Sequence, residues 1–365
     1  MSTAVIATYV FGQGEGALAS SWWYVLPVTL GALWLAVLLN IVGLGTGRWL
    51  QNAGGIGTYL PGLLLIGVAA GSALQGAGPA NSFAARDFVP DLTDLGSLNL
   101  WASIAFAFGG LELSASMGGE IERPERSLPR AVLISAPLIA FMYLLGTASV
   151  LWLVPLGELS IVSGFLQGIA RGVEQVVPGA MWLVPCAAFA YSVGNVGGVG
   201  AWLTAPARVA FVIGIDRYFP PAFGRLHPRW GTPYVAIMVQ ASLASVALLF
   251  SVLGQGTGVE TVYLILLDTQ ILIYFVPFVY LFLSLIVLRR REPEPGRGVG
   301  GALLIGGCGM AVTVFAMVIA TIPPSGTANP LLFFVKVVGG AAAFIGAGGW
   351  LYLRRRSTTA RAAQA

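Results

Sequence analysis

Nine uninterrupted apolar runs, each about long enough to cross a bilayer as helix, constrain this chain more than any other feature. They cover residues 24–45, 54–75, 98–118, 130–154, 180–210, 233–254, 261–288, 300–322 and 330–353. A hydrocarbon core takes roughly 20 residues of helix to span. A tenth apolar piece, residues 4–11, is too short. The runs are continuous, whereas membrane β-strands alternate apolar and polar residues in segments of about ten. Only 9% of the residues are charged and 57% are hydrophobic, against about 25% charged in a soluble domain. The mean hydropathy of +0.84 agrees. A soluble globule of this size could not cover so much apolar side chain, and disordered chains are charge-rich and apolar-poor. The expected class is an all-α polytopic membrane protein, with residues 1–365 forming one transmembrane domain.

The placement of the bases sets an orientation. On alternate connections, one side of the membrane collects 16 of them, in groups around Arg48, Arg123, Arg208, Arg289–Arg291 with Arg297, and Arg354–Arg356 with Arg361. The other side holds three, Arg86, Arg171 and Lys336. Arg and Lys concentrate in cytoplasmic loops, so the Arg-rich side and the C-terminus are expected inside a bacterial-type plasma membrane. Nine crossings then put Met1 outside. An exported start with no signal peptide, preceded by half a helix, reads as N-terminal truncation. Cys186 and Cys308 sit in separate apolar runs with no metal or redox spacing.

Two kinds of feature exceed the background of membrane helices. One is a clustered helix break. The third run contains Gly109–Gly110 with Glu112 just after. Paired glycines weaken a helix by roughly 1 kcal/mol each relative to Ala. A break there would free carbonyls at Phe106, Ala107 and Phe108 and amides from Leu111 onward. Irregular backbone at membrane depth is tolerated where it lines a cavity, and secondary transporters bind substrate at such breaks. The alternative is a packing Gly-Gly pair in an unbroken helix. The other feature is an ionisable group within a span, which by default marks a polar pathway: Glu112, and Asp268 in TVYLILLDTQILIYF. Asp268 needs a partner on another helix, a water or a proton; it could also serve only to tie helices together. Asn195, among Gly194, Gly197, Gly198 and Gly200, faces either a packing neighbour or a cavity. Trp202 is an interface anchor or a plug in a pathway. Metalloprotease, nucleophile-elbow and Walker motifs do not occur.

Three stretches carry a family resemblance. FAFGGLE (106–112) followed by GGEIERPERSLPRAV (118–132), PARVAFVIGIDRYFPPAFGRLHPRWGTP (206–233) and NIVGLGTGRWLQN (40–52) resemble the amino acid–polyamine–organocation (APC) family of permeases. The likeness is good over residues 24–290 and rests on hydropathy beyond. It implies an inverted-repeat (five-plus-five) transporter fold, the nine runs being its helices four to twelve. It places a substrate ammonium on backbone carbonyls at the break, near Phe106 and Gly109; the expected substrate-binding residues are Phe106, Ala107, Phe108, Gly109 and Gly110, with Asn195 added as a residue that could face the cavity. It makes Phe106 an outer gate, Trp202 an inner gate and Glu112 a proton-coupling acid; Asp268 is a second proton-coupling candidate from its place within a span. The substrate carboxylate would rest on a helix that precedes residue 1. Arg123 stands where the family usually has Asn, and the run 54–75 lacks the Lys that one subgroup uses to carry protons.

The expectation is a secondary active transporter of amino acids or related amines, including polyamines, working as antiporter or symporter by alternating access. Its partners would be a small-molecule substrate, the lipid bilayer and a second copy in a homodimer, with no nucleic acid, cofactor, metal or catalytic residue. Two other readings are a truncated, transport-dead homologue and a polytopic membrane enzyme; for the latter the sequence offers no paired catalytic set.

Overall fold

The structure, a computed structural model, describes residues 1–12, 14, 16–89, 94–252, 258–291 and 299–362. Arg297 and residues 253–254 of the sixth run lie outside the described residues. For Arg48, Glu120, Arg355, Arg356 and Arg361 only the backbone is described.

Among the described residues twelve α-helices follow one another: α1 (Ser2–Val10), α2 (Ala17–Ser20), α3 (Trp22–Val42), α4 (Leu44–Leu74), α5 (Leu95–Ala107), α6 (Pro124–Leu153), α7 (Gly164–Val176), α8 (Leu183–Ile215), α9 (Tyr234–Val252), α10 (Val259–Arg291), α11 (Val299–Ile319) and α12 (Pro330–Ala362). No strand occurs among the described residues. Nine helical segments there are long and apolar enough to cross a membrane, and each falls on one of the nine expected runs. The chain is an all-α polytopic membrane protein. With no water in hydrocarbon, each span must satisfy its own backbone groups, which helix does. Its outward faces are apolar: Leu133 and Leu144 of α6 are 73% and 72% exposed, the reverse of a soluble surface.

The chain divides into two compact units, residues Met1–Asp87, Gly110–Val246 and Gly258–Tyr263 in the first, and Phe88–Gly109, Ala247–Thr257 and Leu264–Ala365 in the second. Among the described residues it passes from one to the other between Asp87 and Phe88, between Gly109 and Gly110, and within α9 and α10.

In the first unit, α4 and α8 meet along a seam of small residues. A Cβ on Gly57 would lie 2.3 Å from the Ala190 carbonyl oxygen, and one on Gly54 would lie 2.8 Å from Gly197 Cα. Small residues allow such backbone approach, which compensates for the absence of a hydrophobic driving force between helices in lipid. Gly194, expected on a small-residue face, packs in this seam against Thr58. The stretch 155–179, expected as a plain outer connection, contains the amphipathic helix α7. Its Leu166, Ile169 and Val173 are fully buried against Leu65, Val68 and Leu153. The 206–233 stretch folds back on the bundle. The His227 ring stacks on Trp230 at 4.2 Å, and Thr232 Oγ1 donates to the Ile41 carbonyl at 2.7 Å. Thr204 Oγ1 donates to Asn40 Oδ1 at 2.7 Å and accepts from Gln51 Nε2 at 3.3 Å.

In the second unit, α5 packs on α11, and α11 on α10, where Gly309 lets the Phe282 ring approach within 2.4 Å of a Cβ position. Lys336, counted above with the outer bases, is instead a buried residue of α12. It donates from Nζ to the Ser251 carbonyl at 2.8 Å. That carbonyl ends α9, where a cation is favoured by the helix dipole.

Candidate functional site

The third run is not one α-helix. α5 stops at Ala107, and a 3-10 segment runs from Leu111 to Glu120. Between them Gly110 has φ 109° and ψ −22°, a conformation that costs a non-glycine residue a backbone penalty. The Gly109 amide donates to the Phe106 carbonyl at 2.8 Å. That carbonyl is therefore engaged rather than free, because the chain turns back on itself at once instead of opening. The Gly110 amide donates to Glu112 Oε2 at 2.9 Å. Glu112 thus caps the start of the 3-10 segment, where a carboxylate also complements the local dipole.

Each side of the turn meets an aromatic ring. In the second unit, Phe106 makes an edge-to-face contact with Tyr274 at 5.4 Å between centroids. It lies 6.3 Å from Phe275. A Cβ on Gly109 would lie 3.0 Å from Tyr274 Cε1. In the first unit, Trp202 of α8 lies over Gly110, its Cζ2 3.5 Å from where a Cβ would be. Asn195 is seven residues earlier on α8, two turns away on the same face. Its Nδ2 is buried with no hydrogen-bond partner among the described residues. Phe108 points away from cover, at 48% exposure. Glu112 and Ser114 also line an apolar groove with Leu128, Pro129 and Leu133.

Asp268 is not at this turn. It is fully buried in α10, and its Oδ2 accepts from Asn99 Nδ2 of α5 at 2.9 Å. The second Asn99 amide hydrogen goes to the Ile322 carbonyl at 2.8 Å. Sequence reasoning passed over Asn99, although an amide within a span is the kind of signal that singled out Asn195. It also passed over Tyr274 and Phe275, which stand out only as part of the aromatic-rich ILIYFVPFVYLF. Among the described residues no cluster of His, Cys, Asp and Glu could hold a metal.

Nine helical segments long and apolar enough to cross a membrane, among the described residues, one of them interrupted by a glycine turn, fit a polytopic membrane transporter. The amino acid permease family model matches residues 1–343, and the chain belongs to that family. It is 29% identical over 337 residues to an uncharacterised transporter of Legionella pneumophila, covering 90% of this chain and 71% of that one. It is 29% identical over 285 residues to a glutamate/gamma-aminobutyrate antiporter of Lactococcus lactis, covering 75% of this chain and 55% of the relative. It is 22% identical over 274 residues to a probable agmatine/putrescine antiporter of Lactococcus lactis, covering 74% and 57%. The chain thus spans just over half the length of these two antiporters. The kinship shown is with transporters of small molecules, and the chain is an integral membrane protein.

Proposed function

We propose that this chain moves amino acids or related amines across the membrane by alternating access, with the substrate ammonium bound at the turn 106–112. The carrying observation is the break itself: α5 ends at Ala107, Gly110 holds a glycine conformation, and Glu112 caps its amide. The C-terminal end of α5 is the negative end of a helix dipole. The carboxylate of Glu112 adds a negative charge to the same short stretch. Such a stretch favours a cation, and glutamate, gamma-aminobutyrate, agmatine and putrescine, named for the relatives, all carry an amine.

In this reading Phe106 lies against the substrate on the outer side, where Tyr274 and Phe275 hold its ring. Trp202 covers the turn on the inner side, and the unpartnered Asn195 amide supplies a donor to a substrate oxygen. The Arg-rich connections and the C-terminus face the cytoplasm, following the charge asymmetry. The relatives' names favour exchange over one-way uptake.

The test is counterflow in proteoliposomes. Purified protein is reconstituted with internal unlabelled amine or amino acid, and labelled glutamate, gamma-aminobutyrate, agmatine and putrescine are offered outside in turn. The reading predicts saturable exchange of at least one, lost on Phe106→Ala and on Trp202→Ala. Exchange unaffected by both variants would move the substrate elsewhere.

A further inference from the structure

The interface of α5 and α10 holds a buried polar arrangement with one hydrogen too few. Asn99 and Asp268 are both fully buried. Asn99 spends both amide hydrogens, one on Asp268 Oδ2 and one on the Ile322 carbonyl. Two acceptors on its nitrogen side fix which way the amide points, since turning it over would aim its oxygen at two oxygens. Asn99 Oδ1 is then left as a buried acceptor with no donor, and Asp268 Oδ1 is in the same position. Ser103 Oγ, one turn further along α5, is also buried without a partner. Unsatisfied buried polar atoms are costly and need an occupant or a proton to explain them.

Among the described residues no ion pair neutralises Asp268. α5 carries no titratable side chain, and neither does the described part of α11 apart from Cys308, which is exposed. From α12 the facing cation is Lys336, held by the Ser251 carbonyl. Beyond Ile322, the turn presents Ser325, which donates to Asp94. On α10 itself the titratable groups are Glu260, which accepts from Ser160, Tyr263, Tyr274, Tyr280 and Arg289–Arg291, the arginines lying in the last turn, about six helical turns from Asp268. Asp268 forms no ion pair with any of these among the described residues. A charged, unpaired carboxylate in such a place is expensive.

We propose that Asp268 and Asn99 form a closed acid–amide pair holding one exchangeable proton, and that this pair is the proton-carrying site of the transporter. The proton sits on Asp268 Oδ1 and turns that atom into the donor Asn99 Oδ1 lacks, so one hydrogen satisfies both. The site rests on the transporter reading above and assigns its coupling. It takes this role in preference to Glu112, which is occupied in capping the Gly110 amide. It also has a mechanical route to the substrate. Asn99 precedes Phe106 by seven residues on α5, and Asp268 precedes Phe275 by seven on α10. The acid–amide contact and the aromatic contact of Phe106 are therefore two rungs of one helix–helix interface. Loss of the proton leaves a bare carboxylate on the first rung and loosens the second.

The test is infrared difference spectroscopy on the purified protein in lipid, which reads protonation whether or not transport is seen. At neutral pH the wild type shows the carbonyl stretch of a protonated carboxylic acid. The band shifts when the protein is made with carbon-13 carboxyl-labelled aspartate, disappears in Asp268→Asn, and moves in Asn99→Ala, where the amide partner is lost. Replacing choline by sodium in the buffer leaves it unchanged. Absence of the band, its survival in Asp268→Asn, or its removal by sodium overturns the proposal, the last in favour of a sodium site built on the same oxygens. Should Asp268→Asn not fold, the label shift assigns the band to an aspartate and its movement in Asn99→Ala assigns it to Asp268, the aspartate that Asn99 contacts. A wild-type protein with the band but without counterflow would refute the transport reading and leave the proton site standing.

Discussion

Asn99 donates to Asp268 at 2.9 Å across α5 and α10, and this is the only protein hydrogen bond the Asp268 carboxyl makes among the described residues. Asn99 supplies the hydrogen that Asp268 Oδ2 accepts, so removing Asn99 should strand that oxygen. Asn99→Ala is expected to destabilise the protein by about 1–3 kcal/mol, the cost of an unpaired buried polar group. The double variant Asn99→Ala with Asp268→Ala should cost clearly less than the sum of the singles, since contacting residues are coupled. Thermal unfolding of the four proteins in detergent measures the cycle; simple additivity would show the contact to be energetically idle.

Gly110 should not tolerate alanine. Its φ of 109° is the reason rather than crowding, because a Cβ there meets Trp202 only at an ordinary contact distance of 3.5 Å. Gly110→Ala should cost about 1–2 kcal/mol and depress exchange by reshaping the turn. Relief of a clash is not the issue, so Trp202→Ala should fail to rescue it. Recovery of the unfolding temperature in the double variant to that of Trp202→Ala alone would point to sterics.

The seam between α4 and α8 offers a controlled comparison. A Cβ on Gly57 would sit 2.3 Å from the Ala190 carbonyl oxygen, whereas one on Gly55 meets nothing within 4 Å. Gly57→Ala should therefore reduce the yield of monodisperse protein sharply on size-exclusion chromatography, and Gly55→Ala should leave it near the wild-type level. Equal yields would mean that the helices separate at little cost.

Glu112 combines a cap and a charge, and two substitutions separate them. Gln keeps an oxygen for the Gly110 amide; Ala removes it, with a cap loss of about 1 kcal/mol. If the carboxylate draws the substrate amine, Glu112→Gln should weaken apparent affinity about tenfold, roughly 1.4 kcal/mol, without lowering the unfolding temperature. Glu112→Ala should lower both. Concentration series in the exchange assay, alongside melting curves, distinguish the two effects.

The spans and the break were legible before the fold was seen, for a physical reason. Crossing a bilayer imposes a one-dimensional signature, some 20 apolar residues in succession, and Gly109–Gly110 followed by Glu112 is a local signature too. What stayed hidden depends on contacts between distant segments. Nothing near Asn99 in LGSLNLWAS announces Asp268, 169 positions away. Tyr274 and Phe275 look like any aromatic residues in a membrane helix until Phe106 is found against them. α7 had the spacing of Leu166, Ile169 and Val173, but polar neighbours such as Gln167 and Arg171 made the stretch resemble a loop. The bond of Glu112 to the Gly110 amide stayed hidden because it belongs to backbone geometry that a residue list does not display.

The central claim is that substrate binds at the turn between α5 and the 3-10 segment, and substrate protection of a thiol placed there tests it most directly. In a background with Cys186→Ser and Cys308→Ser, Ala107→Cys provides a single label at the end of α5. The rate of its reaction with a small water-soluble thiol reagent is followed with increasing amounts of whichever amine the protein exchanges. Binding at the turn predicts that labelling slows, with half-protection at the concentration that half-saturates exchange. Labelling that stays constant while exchange saturates would contradict it and place the substrate away from residues 106–112.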